Sequence, residues 1–257
     1  MKFKTLTGFF AVATLLAVGM MGSVAYAGQG INVAPMIIHL NRLHRYEDIL
    51  VYNEGATNAY VEATVSQEVE LGTKQQHQVD FTPGEDPSSF GLLASPSKLI
   101  IPGHQMRKIR VYDLFSKVST DHFYSIVIKP VEPEIEAMAN PKHHLLAYLN
   151  IVVAYSPLVI INPYPTHYDI QVNMTPSGDL TIKNAGNSYV SFHDGKQCRS
   201  QGGCKSLPYH VLYAGTTWHV TLPYGANPAQ YKMISAQGLQ SITITPSVKT
   251  LVVKSAG

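Results

Sequence analysis

Charge is scarce in this chain. Only 14% of its 257 residues are charged, against roughly 25% in an average soluble domain. No residue type dominates in exchange, so disorder, collagen and coiled coil are excluded. Cysteine is nearly absent, with Cys198 and Cys204 alone, and there is one tryptophan, Trp218. After residue 27 no apolar run approaches the ~20 residues that a spanning helix needs, so stable membrane insertion of the mature chain is not expected. The usual marks of catalysis are also missing. There is no H-E-x-x-H, no G-x-S-x-G and no glycine-rich phosphate loop. The eleven histidines are scattered, and the adjacent pair His143 and His144 would point to opposite faces of a strand. Asp121-His122 and His193-Asp194 are neighbours in sequence, not a triad; a Ser-His-Asp site built from distant strands is the remaining enzymatic alternative. No cofactor or metal is expected.

The formal charge of +2 comes from 19 basic and 17 acidic side chains. Lys2 and Lys4 fall in an N-terminal segment that reads as removable, which leaves 17 of each. A chain so nearly neutral has no polyanion-binding field, so a nucleic-acid partner is not expected. The removable segment is residues 1–27: MKFK supplies positive charge, an apolar run follows, and Ala25-Tyr26-Ala27 sets small residues where a signal peptidase reads. The competing reading is an uncleaved anchor. The A-x-A end and the polar Gly28-Gln29-Gly30 favour cleavage and export. In an oxidising compartment, Cys198 and Cys204, in the Gly-rich stretch KQCRSQGGCK, are expected to form a structural disulfide. A redox pair would have the tighter C-x-x-C spacing, and no His or Asp stands at metal-ligand spacing around them.

What the chain has instead is strands. INVAPMIIHL (31–40) is apolar with Pro35 inside it, the mark of an edge strand that is interrupted or changes partner. DILVYN (48–53) and AYVEATVS (59–66) alternate around the turn-forming EGATN. Residues 71–90, rich in Gly, Gln and Pro, read as a long mobile loop. LLASPSKLIIP (92–102), MRKIRVYD (106–113) and HFYSIVIKP (122–130) follow, then a loop over 131–143. The longest strand candidate, Leu145 to Tyr155, is closed by Ser156-Pro157. The remaining hundred residues repeat the style, in HYDIQVNM, DLTIKN, SYVSFH, LPYHVLY, TWHVTL, QYKMIS and QSITIT. Short strands with Gly, Pro and Asn turns indicate β-sandwiches. The fold class is all-β: two tandem sandwiches, residues 28–156 and 157–257, joined at the turn-prone Pro157 and INPYP (161–165).

Five of these segments, in this order, resemble the periplasmic chaperones of the chaperone–usher pilus pathway. INVAPMIIHL is similar to the family's opening strand, and ILVYNEG to the strand that ends in Asn. LLASPSKLIIPGHQMRKIRVYDL carries the most specific likeness, here as Pro96-x-x-Leu99-x-x-Pro102 followed by Ile109-Arg110-Val111. HFYSIVIKPVEP resembles the aromatic strand before a proline-containing loop, and LLAYLNIVVAYSP the long last strand of the first domain. The paired cysteines of the second half are similar to those of the alternative branch that serves thin, common-pilus-like fibres. The resemblance implies two immunoglobulin-like sandwiches in an L or boomerang arrangement. It also implies the periplasm of a Gram-negative bacterium, and pilus subunits and an outer-membrane usher as partners.

The resemblance carries a mechanism and a departure. A pilus subunit lacks one strand of its sandwich, and the chaperone lends one, a case of β-augmentation. A lent strand needs free backbone groups and large apolar side chains at alternate positions. Leu145, Ala147, Leu149, Ile151 and Val153 share one face by period two. Ordinary burial on both faces of a central strand would also explain so apolar a run. The family's Arg and Lys that hold the subunit's terminal carboxylate fall here on Ile37 and Val152, which cannot bind one. Arg107, Lys108 and Arg110, with His39 behind them, are the candidate anchors; for Lys108 and Arg110 a merely solvated strand face is the plainer reading. Whether the free protein caps its donor edge by self-association is left open by the sequence. The alternative function is a two-sandwich fibre subunit or adhesin, with Trp218 and the tyrosines as a sugar- or protein-binding face.

Overall fold

The computed structural model describes residues 30–82, 84–131 and 152–253. The first half runs β1 (Ile31–Ala34), β2 (Ile37–Leu40), β3 (Tyr46–Asn53), β4 (Ala59–Val69), β5 (His77–Asp80), the one-turn helix α1 (Pro87–Phe90), β6 (Leu92–Ser95), β7 (Lys98–Ile101), β8 (Met106–Asp113), β9 (His122–Pro130) and β10 (Leu158–Ile161). The second runs β11 (Ile170–Met174), β12 (Asp179–Asn184), β13 (Val190–Cys198), β14 (Cys204–Ser206), β15 (His210–Leu212), β16 (Thr217–Thr221), β17 (Ala229–Ser235), β18 (Gly238–Ile244) and β19 (Thr250–Leu251). The chain is all-β, two sandwiches in tandem. One sheet of the first has the order β1-β3-β8-β6, and the other β2-β10-β9-β4-β5 with β7 beside β4. The second sandwich faces β16-β12-β11-β19 against β14-β13-β17-β18, with β15 beside β13.

Alternation in sequence becomes alternation in burial. Along β8 Ile109, Val111 and Asp113 turn inward while Lys108, Arg110 and Tyr112 turn out, and along β4 the inward set is Ala59, Val61, Ala63 and Val65. These meet Ile49, Val51, Ile126, Ile128, Val159 and Ile161 in one core. A separate core gathers Phe192, Trp218, Tyr231, Ile170 and Ile182. Each dry side chain of this size contributes roughly 1.5–3 kcal/mol relative to exposure, which is what offsets the chain's ordering entropy.

Pro35 does divide the opening strand. β1 pairs with β3 in one sheet, and after Pro35-Met36 β2 joins β10 in the other. LLASPSKLIIP is divided in the same way, with β6 on β8 and β7 on β4. Gly103 in the following turn is needed for space, since a Cβ there would lie 2.2 Å from the Ala56 carbonyl oxygen.

Two expectations need correction. Residues 71–90 hold β5 and α1. All four residues of β5 are exposed, so no apolar signal marked it; it is held by backbone pairing to β4 and by the side-chain bonds Ser66–Asp80 and Gln78–Glu68. α1 is capped by Asp86, whose Oδ1 accepts the Ser88 N–H at 2.9 Å, and it drives Phe90 against Phe81 and Tyr124. Nor does Ser156-Pro157 close the strand before it. Tyr155 exchanges two backbone bonds with Ile128, the Pro157 carbonyl accepts from Ile126, and β10 continues along β9 to Ile161. Pro157 removes one ladder donor and leaves its neighbours in place. Because β10 pairs within the first sandwich, we draw the domain boundary in 162–169, a few residues beyond 157.

The halves share one device. Asn53 and Asn184 end strands in the pattern Asn-x-Gly, four residues before Thr57 and Ser188. Asn53 Nδ2 donates to the Thr57 and Ile101 carbonyls, and its Oδ1 accepts the Gly55 N–H. Asn184 repeats this with Ser188, Leu212 and Gly186. Both asparagines are fully buried, and each satisfies backbone groups that the turn leaves unpaired.

Candidate functional site

The site of interest is the sheet edge where residues 152–161 pass between β9 and β2. β2 runs parallel to β10, and the Leu158 N–H donates to the Met36 carbonyl at 2.9 Å. Upstream of that bond the pairing is one-sided. Tyr155 bonds Ile128 on β9 in both directions, and by strand alternation the N–H and C=O of Ser156 face away from β9. Among the described residues, 152–156 have no backbone partner on that outer side. Val152 and Val153 stand 51% and 56% exposed, and Met36 and Ile37 at the start of β2 43% and 59%. Large apolar side chains next to an open strand edge mark a surface suited to a partner.

Of the predicted donor residues, Leu145, Ala147, Leu149 and Ile151 lie outside the described residues. Val153 lies within them, exposed and outside any assigned strand. Ile37 and Val152, in the slots where the resembled family carries cations, are both at this edge and both apolar.

The four candidate anchors are not brought together. Lys108 and Arg110 lie on the outer face of the other sheet, and both hold Asp48 across the strand pair. Lys108 Nζ donates to Oδ2 at 3.0 Å, and Arg110 Nε and Nη2 donate to the two oxygens at 2.6 and 3.0 Å. These cations keep the Asp48 carboxyl well below the usual carboxylate range. Arg110 also lies 4.8 Å over the Tyr46 ring. Arg107 is exposed and donates to the Met106 carbonyl and the Gln105 side chain. His39 is on β2, on the face that turns toward the second sandwich.

That face is the joint between the sandwiches, which sequence reading did not find. Asp121, just before β9, accepts from Asn162 Nδ2 at 2.7 Å, from Ser188 Oγ at 3.0 Å and from the Tyr189 N–H at 2.6 Å. Burial pushes its carboxyl up, against the pull of those bonds. Asn162 in turn shares a 2.8 Å bond with His39 Nδ1. Phe123 packs edge-on against Tyr189 and Tyr213, and His39 lies parallel to Tyr189. Gly72 approaches Tyr213 so closely that a Cβ would lie 2.9 Å from its ring. Cys198 and Cys204 form the expected disulfide across β13 and β14.

No family model matches this chain. A curated Escherichia coli protein, named as a subunit of CS1 fimbriae, is 27% identical over 177 residues, 67% of this chain and 72% of that protein. Among solved structures, the class 5 fimbriae chaperone CfaA superposes with a TM-score of 0.62 at 17% identity, over 84% of this chain and 100% of that one. The E. coli chaperone DraB gives 0.57 at 12% identity, over 84% and 97%. CsuC–CsuE, a chaperone–tip adhesion subunit complex of Acinetobacter baumannii, gives 0.53 at 12%, over 84% and 98%. The chain has the fold of the fimbrial chaperones. In this chaperone fold the open edge belongs to the first sandwich, and the Asp121 joint sits where the second sandwich meets the same sheet. Among the described residues no helix is long and apolar enough to cross a membrane.

Proposed function

We propose that this protein is a periplasmic chaperone that binds fimbrial subunits by donor-strand complementation and passes them to an outer-membrane usher. The observation that carries the reading is the open outer side of 152–156, whose backbone is tied to its own sheet only through Tyr155 among the described residues, in a chain with the fimbrial chaperone fold. A segment bonded to its own sheet through Tyr155, with the backbone groups of Ser156 turned outward and exposed valines just before it, supports β-augmentation. Leu145, Ala147, Leu149, Ile151 and Val153 are the side chains that would fill the subunit's groove. Arg107 and His39, which hold no carboxylate among the described residues, are better anchors for a subunit's terminal carboxylate than Lys108 and Arg110, which Asp48 occupies. The chemistry asked of the chain is binding, with no bond made or broken.

The test is a periplasmic expression assay with Leu149→Asp/Ile151→Asp and, separately, Val153→Asp. An aspartate in a dry groove costs several kcal/mol, while at exposed Val153 it costs the free protein little. Subunit levels should collapse while the far-UV dichroism and urea midpoint of the purified variant, which include the first sandwich, stay native. Stabilised subunits with both variants would remove this strand as the donor. Recovery of the tagged chain in sheared surface fibres, instead of a one-to-one complex with a subunit, would favour the fibre-component reading.

A further inference from the structure

The charge of the chain is divided between its halves. Residues 28–161 carry ten Lys and Arg against fourteen Asp and Glu, and residues 162–257 carry seven against three. The second half is therefore net +4 and the first net −4. Three of the seven cations gather at one end of the second sandwich. Lys196 lies near the end of β13, Arg199 in the turn after it and Lys205 on β14, all exposed. Some exposed cations elsewhere find carboxylates, Lys108 and Arg110 on Asp48, Lys98 and Lys129 on Glu62 and Lys232 on Asp194, while Lys74, Arg107, Lys117, Lys183 and Lys249 stand without one among the described residues. Lys196, Arg199 and Lys205 have none among the described residues.

The tip is also built rigidly. The disulfide joins directly opposed residues of β13 and β14. Asn227 Nδ2 reaches the Cys198 carbonyl, and Gln197 holds the Gly225 and Asn227 carbonyls at 3.0 and 2.7 Å. Tyr224 lies between two of the cations, with the Arg199 guanidinium 4.6 Å and the Lys205 ammonium 5.5 Å from its ring centre. A shallow groove of about 260 Å³ runs beside them, lined by Lys196, Arg199, Ser200, Asn227 and Gln230. β14 ends its sheet, and by alternation from the Arg199–Gly203 and Leu207–Gly195 bonds the N–H and C=O of Cys204 and Ser206 face outward with no backbone partner among the described residues.

We propose that this disulfide-braced tip is a docking site for an extended acidic polypeptide segment, whose backbone adds to β14 while its carboxylates meet Arg199, Lys205 and Lys196. The site is separate from the donor edge and does not depend on the chaperone reading. Two observations select a polypeptide over an anionic membrane. The turn residues Ser200, Gln201, Gly202 and Gly203 offer nothing apolar to insert among lipids. The open edge of β14 supplies backbone pairing, which a lipid surface cannot use.

The experiment is fluorescence polarisation of a fluorescein-labelled peptide of ten glutamates with the full mature chain, at low and at about threefold higher salt. Arg199→Glu/Lys205→Glu is compared with Lys183→Glu/Lys249→Glu, which changes net charge equally on the opposite sheet of the same sandwich. Binding should weaken with salt and fall at least tenfold in the tip variant, with less than about threefold change in the other. Equal losses in the two variants would reduce the effect to the general field of a basic domain and overturn the site. So would the absence of binding at low salt, or binding to phosphatidylglycerol vesicles with none to the peptide.

Discussion

Removing the Asp121 carboxylate should uncouple the two sandwiches. The side chain stands in the first half and accepts the Ser188 hydroxyl and the Tyr189 N–H of the second, together with Asn162 Nδ2 in the connection. Asn162 and Ser188 are both buried, so Asp121→Ala leaves donors in places where water enters poorly. Each orphaned buried donor costs about 1–3 kcal/mol. Asp121 is itself only partly buried, so water can replace some of the bonds, and a total near 3 kcal/mol is expected. Asp121→Asn should cost less, about 1–2 kcal/mol, because the amide oxygen still accepts two donors while its NH2 opposes the Tyr189 N–H. It also removes a charge that burial disfavours. Trp218 is the only tryptophan and lies in the second core, so its fluorescence reports that sandwich alone, whereas far-UV dichroism reports both. In urea the wild-type chain should give coincident curves by the two probes, and Asp121→Ala should separate them and lower the first midpoint. Coincident curves with a stability change below about 0.5 kcal/mol would refute the reasoning, and the joint would then be held by its packing contacts, Phe123 and His39 on Tyr189 and Phe123 and Gly72 on Tyr213.

Two other predictions follow from buried and cross-linked groups. Asp113 is 5% exposed, and burial raises its carboxyl above the ordinary value. A raised acid pKa means the folded state favours the proton, so the contribution is present below about pH 4 and is lost as pH rises through the folded value. Wild-type stability should thus fall relative to Asp113→Asn between pH 4 and 7 in urea titrations; a constant difference would show that the carboxyl is not desolvated. Replacing Cys198 and Cys204 with serine should cost about 2 kcal/mol by loop closure. Hydrogen exchange should quicken at 196–206 and stay slow at β17; unchanged protection at 196–206 would mean that Gln197 and Asn227 hold the hairpin without the bond.

The parts of this protein that could be read from its sequence are those governed by local periodicity. Period-two alternation in MRKIRVYD and AYVEATVS placed strands with their buried faces correctly, because each inward side chain meets the same kind of core along the strand. Pro35 announced a change of partner for a local reason, the loss of one ladder donor. β5 escaped, since HQVD has solvent on both faces and is held by backbone bonds and by polar side-chain pairs to β4 that leave no apolar alternation. The Asp121 joint escaped because its partners lie 41, 67 and 68 residues away and only the packing of two domains makes them neighbours. The paired turns at Asn53 and Asn184 were a signal available in the sequence, since the same Asn-x-Gly-x-Thr/Ser pattern recurs in both halves.

The sequence by itself determined the fold class, the two-sandwich organisation and the disulfide, because alternation, turn chemistry and cysteine spacing act over a few residues. Only the tertiary structure decided which cations are free. Lys108 and Arg110 look available in the sequence, yet Asp48 on the neighbouring strand takes both, while Arg199 and Lys205 look unremarkable and meet at the Tyr224 ring without an anion among the described residues. The reason is physical: a charge's neighbours are set by strand register and sheet order, which join residues 60 positions apart and are invisible to any local pattern.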